Sequence, residues 1–438
     1  MSKIVKIGSL VFLGAAVGYG LNYGWSYANI ASSYAAKNMC SGVFVSHRTE
    51  SDVMSDLYAV SFANLDVDYD KKLVGASIYG LAHAEAVYRP GLGCTLLNGS
   101  NVEELHKFTP AAVDSAYQFE WPVVSPSTHF DSVLLARAIT QAFEDTTAAQ
   151  LKRTRAALVV YDGQIVMEKY AYGFTKETPL LGWSMTKSVT NAMVGLLVKD
   201  GKLSTGRGAP ITEWAEDDRK KITLDNLLRM NSGLEFNEDY ASPSDATKML
   251  FTEKSTGLYA LRSKLAHKPG TVWSYSSGTT NILQEIIKRQ FSTLEDYLAF
   301  PHDRLFRKLG MSSAVLETDP SGTYVGSSFM YATARDWAKF GQLYLQDGEW
   351  NEEQILPKGW AAYSASETKP SNGTYGAQFW IDTHDKELPS DTFFADGFEG
   401  QFVTIIPSEK LVVVRLGCSI NIGFDNNSYV KSVLAALK

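Results

Sequence analysis

Residues 156–171 read AALVVYDGQIVMEKYA, and residues 180–199 read LLGWSMTKSVTNAMVGLLVK. The first stretch is two β-rich runs around Asp162-Gly163, a pair favoured in two-residue hairpin turns. The second changes period: from Ser184 onward apolar residues recur at helical spacing, up to Gly201 as a C-terminal stop. A hairpin that delivers the chain to a buried helix is expected. Ser184 and Lys187 open that helix, and residues i and i+3 share a face. A serine needs a base before it can act as a nucleophile, and a lysine neutralised in a low-dielectric site can be one. The positive end of the helix dipole also favours a nucleophile there. The bare Ser-x-x-Lys pattern recurs at Ser366–Lys369 and Ser428–Lys431, where it reads as a solvated face. Context separates Ser184, because a lysine at the start of a strongly apolar helix calls for a reason.

Working outward, residues 130–151 read as an amphipathic helix, and residues 202–330 alternate short helices with loops. ITLDNLLRMNSGL reads as a helix ending at Gly233, and TARDWAKFGQLYLQDG as a helix with a threonine cap. GQFVTIIPSEKLVVVRLG (residues 400–417) is a second hairpin turning at Pro-Ser-Glu-Lys, and SYVKSVLAALK is a closing helix. Strands at both ends of this region and helices between them predict an α+β fold. One central antiparallel sheet flanked by helices would stand beside a mainly helical lobe, with a cleft between the two. Two further features carry chemistry. Tyr275-Ser276-Ser277 lies in a loop entering a helix, where a tyrosine could shuttle protons. Gly397-Phe398-Glu399-Gly400-Gln401 opens a strand, where glycines allow close approach of a ligand and backbone N–H groups can hold an oxyanion.

The order Ser-x-x-Lys, then Tyr-x-Ser, then a glycine-flanked triplet on a late strand resembles the penicillin-recognising serine hydrolases. Over about residues 150–438 the chain is similar to their class C β-lactamase-like branch, which includes esterases and 6-aminohexanoate-dimer hydrolase. RMNSGLEF, GTVWSYSSGTTNIL, FMYATARDWAKFGQLYL and FEGQFVTIIPSEKLVVV carry the likeness. The resemblance implies a Ser184 nucleophile that is acylated, with Lys187 and Tyr275 sharing general base and acid work. It implies an oxyanion hole from the N–H groups of Ser184 and Gln401, and substrate contacts from Ser277, Phe398, Glu399 and Gly400. Ser277 stands where the family motif has asparagine. Phe398 stands where β-lactamases and transpeptidases carry a cation or histidine that binds the substrate carboxylate, and Glu399 follows it. That departure argues against β-lactams and D,D-peptides and leaves a small-molecule ester or amide as the expected substrate. A D,D-peptidase or β-lactamase, and a silent binding protein on the same fold, are the rival readings. No Gly-x-Ser-x-Gly elbow surrounds Ser184, which disfavours an α/β-hydrolase.

The N-terminus bears on compartment. Lys3 and Lys6 precede a stretch, Ile7 to Ala36, without a charged residue, and Ile7 to Leu21 is almost wholly apolar. The length suits a membrane-spanning helix with a cytoplasmic N-terminus; cleavage after Ser26-Tyr27-Ala28 is the alternative. Residues 1–36 are thus expected to be an anchor or signal segment, 37–128 an extension of short apolar runs in which VGASIYGL and AEAVYRPGLGCTLL look like strands around a turn, and 129–438 the hydrolase domain. Either fate of the anchor places the hydrolase in the cell envelope, in the periplasm or secreted. Export allows a disulfide, with Cys40 and Cys94 as the candidate pair and Cys418 a core thiol. With 41 basic against 48 acidic residues, nothing suggests a nucleic-acid partner. Three cysteines and seven scattered histidines without HExxH spacing suggest no metal and no cofactor.

Overall fold

The structure is a computed structural model that describes residues 3–107, 121, 129–145, 147, 150–382, 384–421 and 423–438, with side chains from Asn22 onward. Its main sheet has six antiparallel strands in the order Trp380–Ile381, Phe393–Gly397, Gln401–Ile406, Leu411–Gly417, Thr154–Tyr161, Gln164–Tyr170. The hairpin at Asp162-Gly163 is present: both residues have positive φ (46° and 76°) and Tyr161 pairs with Gln164 across the turn, the geometry of a two-residue primed turn. The two ends of the domain meet where Leu411–Gly417 pairs with Thr154–Tyr161. Alternate residues of the latter strand enter different cores. Ala156, Leu158 and Val160 join one, Ala157 and Val159 the other, as the period of two requires. Ser132–Phe143 and Asn426–Leu434 cover one face, and Ala334–Leu345 covers the other. Burial on both faces is why these strands read as unbroken apolar runs.

The helical lobe departs from the sequence reading at its element ends. The helix expected to reach Gly233 covers only Leu224–Leu228, entered by a Thr223 capping box. Met230 then takes positive φ (55°), and the Gly233 carbonyl accepts the N–H groups of Ala266 and His267. The helix expected over 130–151 covers Ser132–Phe143. Beyond it the Asp145 carboxylate accepts the N–H groups of Lys152 and Arg153, which bends the chain toward the sheet. Of the loop WPVVSPSTHF, residues 122–128 lie outside the described residues.

The N-terminal part is more regular than its sequence suggests. One helix, Lys3–Phe44, runs through the boundary drawn at residue 36. It packs on a four-stranded meander, Asn64–Asp68, Leu73–Ile78, Ala82–Arg89 and Gly93–Leu96; VGASIYGL and AEAVYRPGLGCTLL, read as strands around a turn, supply its last three strands. A Cys40–Cys94 disulfide, with Cα atoms 6.0 Å apart, ties the helix to the last strand. The side chains of the apolar run Ile7–Leu21 are not among those described. Among the described residues no helix is long and apolar enough to cross a membrane.

A buried polar cluster fastens this unit to the rest of the chain through Glu317. The Glu317 carboxylate pairs with Lys37 Nζ, accepts Ser41 Oγ at 2.8 Å, and accepts the Cys94 N–H at 2.6 Å. Lys37 Nζ also lies 4.4 Å from the centre of the Phe329 ring. Burial pushes the Lys37 amine below its usual range, and Glu317 opposes that shift. Removing one member of such a pair leaves the other charged in an apolar setting. Glu317→Ala is expected to lower unfolding stability by about 3–5 kcal/mol, measured by urea denaturation with the disulfide intact; Lys37→Met in the same background should recover part of the loss.

Candidate active site

Ser184 sits in a tight turn, Trp183–Met185, immediately before the helix Thr186–Lys199. Trp183 has positive φ (46°), rare for so bulky a residue. The conformation is held from several sides. The Gly182 N–H donates to the Met330 carbonyl, and Thr186 Oγ1 donates to the Trp183 carbonyl at 2.7 Å. The Trp183 ring stacks on Tyr34, 6.4 Å between centres, and meets the Phe398 ring edge-on at 5.8 Å. Gly182 and Gly397 let the strand Phe393–Gly397 lie against this turn. A Cβ on Gly397 would fall 2.1 Å from the Gly182 carbonyl, and one on Gly182 would fall 2.3 Å from the Trp337 ring.

Lys187, 1% exposed, turns its amine toward three oxygens: Ser184 Oγ at 2.9 Å, Ser277 Oγ at 3.0 Å and the Ser327 carbonyl at 2.9 Å. The carbonyl only accepts. Ser277 Oγ donates its single proton to Glu238 Oε1 at 2.5 Å, so it too must accept from the amine. A neutral amine has two N–H groups and one lone pair. Both N–H groups are therefore committed, and the lone pair is left facing Ser184 Oγ. Desolvation lowers the Lys187 pKa to about 8, against the opposing charges of Glu238 and Asp396. Tyr275 moves the other way: burial of its hydroxyl, with Glu238 and Asp396 adding to it, raises its pKa well above the usual phenol value, and a hydrogen bond with Ser184 opposes the rise. The phenol is thus protonated at neutral pH. Its ring centre lies 4.8 Å from Lys187 Nζ and packs on Trp380.

Ser184 opens into a cavity of about 200 Å³. Leu250, Phe251 and Phe398 line it, together with Ile30, Ala31, Tyr34 and Tyr58 from the N-terminal unit. A larger open groove of about 780 Å³, between the N-terminal helix and the small sheet, holds none of the residues singled out above.

Residues 139–417, well over half of the chain, match the beta-lactamase family. The chain belongs to that family and is a serine hydrolase. It is 24% identical over 292 residues to the 6-aminohexanoate-dimer hydrolase of Paenarthrobacter ureafaciens, across 60% of this chain and 72% of that protein. A Bacillus anthracis structure named provisionally as a 6-aminohexanoate-dimer hydrolase is similar with TM-score 0.60 at 22% identity, over 73% of this chain and 87% of the other. A penicillin-binding protein homologue from Caulobacter crescentus is similar with TM-score 0.55 at 14% identity, over 73% of this chain and 100% of the other.

In this hydrolase Ser184, Lys187, Tyr275 and Ser277 come together. Phe398 and Glu399 border the cavity. The Glu399 carboxyl is turned toward Trp183 and Cys418, and burial and the Asp56 charge raise its pKa to about 7. Gly400 and Gln401 do not line the cavity. Phe398, Glu399 and Gly400 form a three-residue connection, after which Gln401 pairs with Gly397 at the start of the next strand. The Gln401 side chain donates to the carbonyls of Phe398 and Gly417. Gly400 packs on Arg415, whose buried guanidinium donates to the carbonyls of Glu399 and Gly400 at 3.0 and 2.6 Å. Both residues therefore hold the turn that presents Phe398. Sequence reasoning missed Glu238, Tyr240 and Ser327. Tyr240 donates to Glu238 at 2.8 Å and lies 3.0 Å from Ser277 Oγ. NEDY at 237–240 carries no motif, and only tertiary packing links it to Ser277.

A neutral Lys187 is the form with a lone pair for Ser184, and its fraction grows as pH rises. The rate of Ser184 labelling by a fluorophosphonate is expected to climb with pH and level off above about 8. Glu238→Gln removes a charge that holds the Lys187 pKa up and substitutes an amide able to donate to Ser277. The same assay should show its rise at lower pH and a plateau reduced by about 10²-fold or more.

Proposed function

We propose that this hydrolase cleaves a carboxylic ester or amide through an acyl-enzyme on Ser184. The observation that carries the reading is the Lys187 amine, 2.9 Å from Ser184 Oγ with its two N–H groups committed elsewhere. Lys187 takes the serine proton as Oγ attacks the carbonyl carbon. The tetrahedral oxyanion is held by backbone N–H groups. Ser184 supplies one. The second is assigned to Phe398 in place of Gln401, since Phe398 borders the cavity and Gln401 does not. The protonated Tyr275 and the Lys187 ammonium return a proton to the leaving oxygen or nitrogen. Water then attacks the acyl-enzyme by the same relay in reverse. A relative named for hydrolysing a 6-aminohexanoate dimer keeps amides in scope. Among the described residues no arginine or lysine lines the cavity and the carboxyl of Glu399 borders it, so a penicillin carboxylate finds no charge partner.

We also assign the hydrolase to the cell envelope, anchored by its N-terminal helix or released if that segment is cleaved. The apolar run Ile7–Leu21 and the Cys40–Cys94 disulfide support this.

Intact-mass spectrometry of the protein after exposure to a fluorophosphonate, and separately to a penicillin, tests the chemistry. One fluorophosphonate adduct that vanishes in Ser184→Ala, with no penicillin adduct, is expected. A penicillin adduct on Ser184 would restore the β-lactamase or D,D-peptidase reading, and no adduct from either reagent would favour a silent binding protein. For the compartment, the protein should stay in the membrane pellet after alkaline carbonate extraction, and recovery in the cytosolic fraction with free thiols at 40 and 94 would overturn the assignment.

A further inference from the structure

We infer that the acyl group this hydrolase accepts is uncharged and apolar, and that the N-terminal unit, rather than the family domain, selects it. The inference rests on the acyl-enzyme reading of Ser184. The cavity into which Ser184 opens is walled on one side by Ile30, Ala31 and Tyr34 and closed near its mouth by Tyr58. All four lie outside residues 139–417, the part that matches the family. The opposite wall is Leu250, Phe251 and Phe398, so the enclosure is apolar on both sides. Among the described residues no arginine or lysine lines it, and the carboxyl of Glu399 borders it, so an acyl group carrying its own carboxylate would enter without a partner.

Size narrows the class further. A volume of about 200 Å³ lies below the ~300–1,000 Å³ usual for sites that take a drug-sized ligand. At the ~30 Å³ that one water occupies, close to the size of a methylene group, it holds about six to seven such units. The wall is also preformed. The Lys37–Glu317 pair fixes the helix within about two turns of Ala31 and Tyr34, and the disulfide at Cys40 lies one turn further on, which removes an ordering cost on binding. Tyr34 contacts both sides of the cavity, stacking on Trp183 and meeting Phe251 edge-on at 5.5 Å. The substrate class is therefore an ester or amide of a short- to medium-chain aliphatic or small aryl acid, whether free in solution or drawn from a lipid.

The test is a chain-length series on the full protein: kcat/KM for p-nitrophenyl acetate, butyrate, hexanoate and octanoate, with the anionic p-nitrophenyl monosuccinate beside them. The fluorophosphonate adduct on Ser184 is checked in the same preparation. Activity should rise by about fourfold per added methylene until the cavity is full, so hexanoate exceeds acetate by tenfold or more and monosuccinate falls below acetate. Ala31→Trp, which fills the wall, should reduce the hexanoate-to-acetate ratio at least tenfold. Tyr58→Ala, at a partly exposed mouth position, should shift the optimum toward octanoate, and it decides the matter if Ala31→Trp does not fold. Acetate equal to or better than hexanoate, monosuccinate preferred, no ester turnover despite a labelled Ser184, or a chain-length profile unmoved in the folded variants would each overturn the inference while leaving the acyl-enzyme reading standing. Failure to label Ser184 would overturn both.

Discussion

One amine kept out of water, Lys187 Nζ, sets the conditions that the surrounding structure meets. Desolvation alone would leave it neutral and aimless, since a lysine side chain has four rotatable bonds. Two acceptors give it direction. The Ser327 carbonyl and Ser277 Oγ take its N–H groups, and Glu238 ensures that Ser277 accepts by engaging that hydroxyl's single proton in a hydrogen bond. Glu238 works in two opposed ways. Its charge holds the lysine pKa up, while its hydrogen bond aims the lone pair. In the proposed mechanism a pKa lowered to about 8 suits a base that must take a serine proton and yet be free of its own near neutrality.

The turn that offers Ser184 to this amine depends on the N-terminal unit as well as on the family domain. Trp183 sits in a conformation that bulky residues avoid, and its ring stacks on Tyr34 of the N-terminal helix. That helix is fixed by a disulfide to its own sheet and by Glu317 to the rest of the chain. The same unit thus buttresses the turn that holds Ser184 and walls the cavity. Its removal would expose the Trp183 ring and the Lys37–Glu317 site together.

How legible each element was follows the range of the forces that form it. The Asp162-Gly163 hairpin was readable because turn chemistry and two flanking β-rich runs agree within sixteen residues. Helix ends were less so. The helix read over residues 130–151 stops at Phe143, where Asp145 captures two N–H groups and redirects the chain. The stretch through Gly233 breaks at Met230, where a left-handed residue turns the chain toward residues 265–267. In the meander over residues 64–96, VGASIYGL and AEAVYRPGLGCTLL were readable as strands around a turn, whereas the short polar strand Asn64–Asp68 was not.

The sequence by itself determined the hairpin, the helix that carries Ser184 and Lys187 on one face, the late strands and the absence of a cation at Phe398. These are local matters of turn residues, periodicity and residue type. Only the tertiary structure decided which groups surround the amine and which close the cavity. Glu238 reaches Ser277 across 39 positions, and Ala31 and Tyr58 come to Ser184 from more than a hundred residues away. No periodicity encodes such meetings. They arise when separate apolar faces are buried together, and the polar groups caught between them must then satisfy one another.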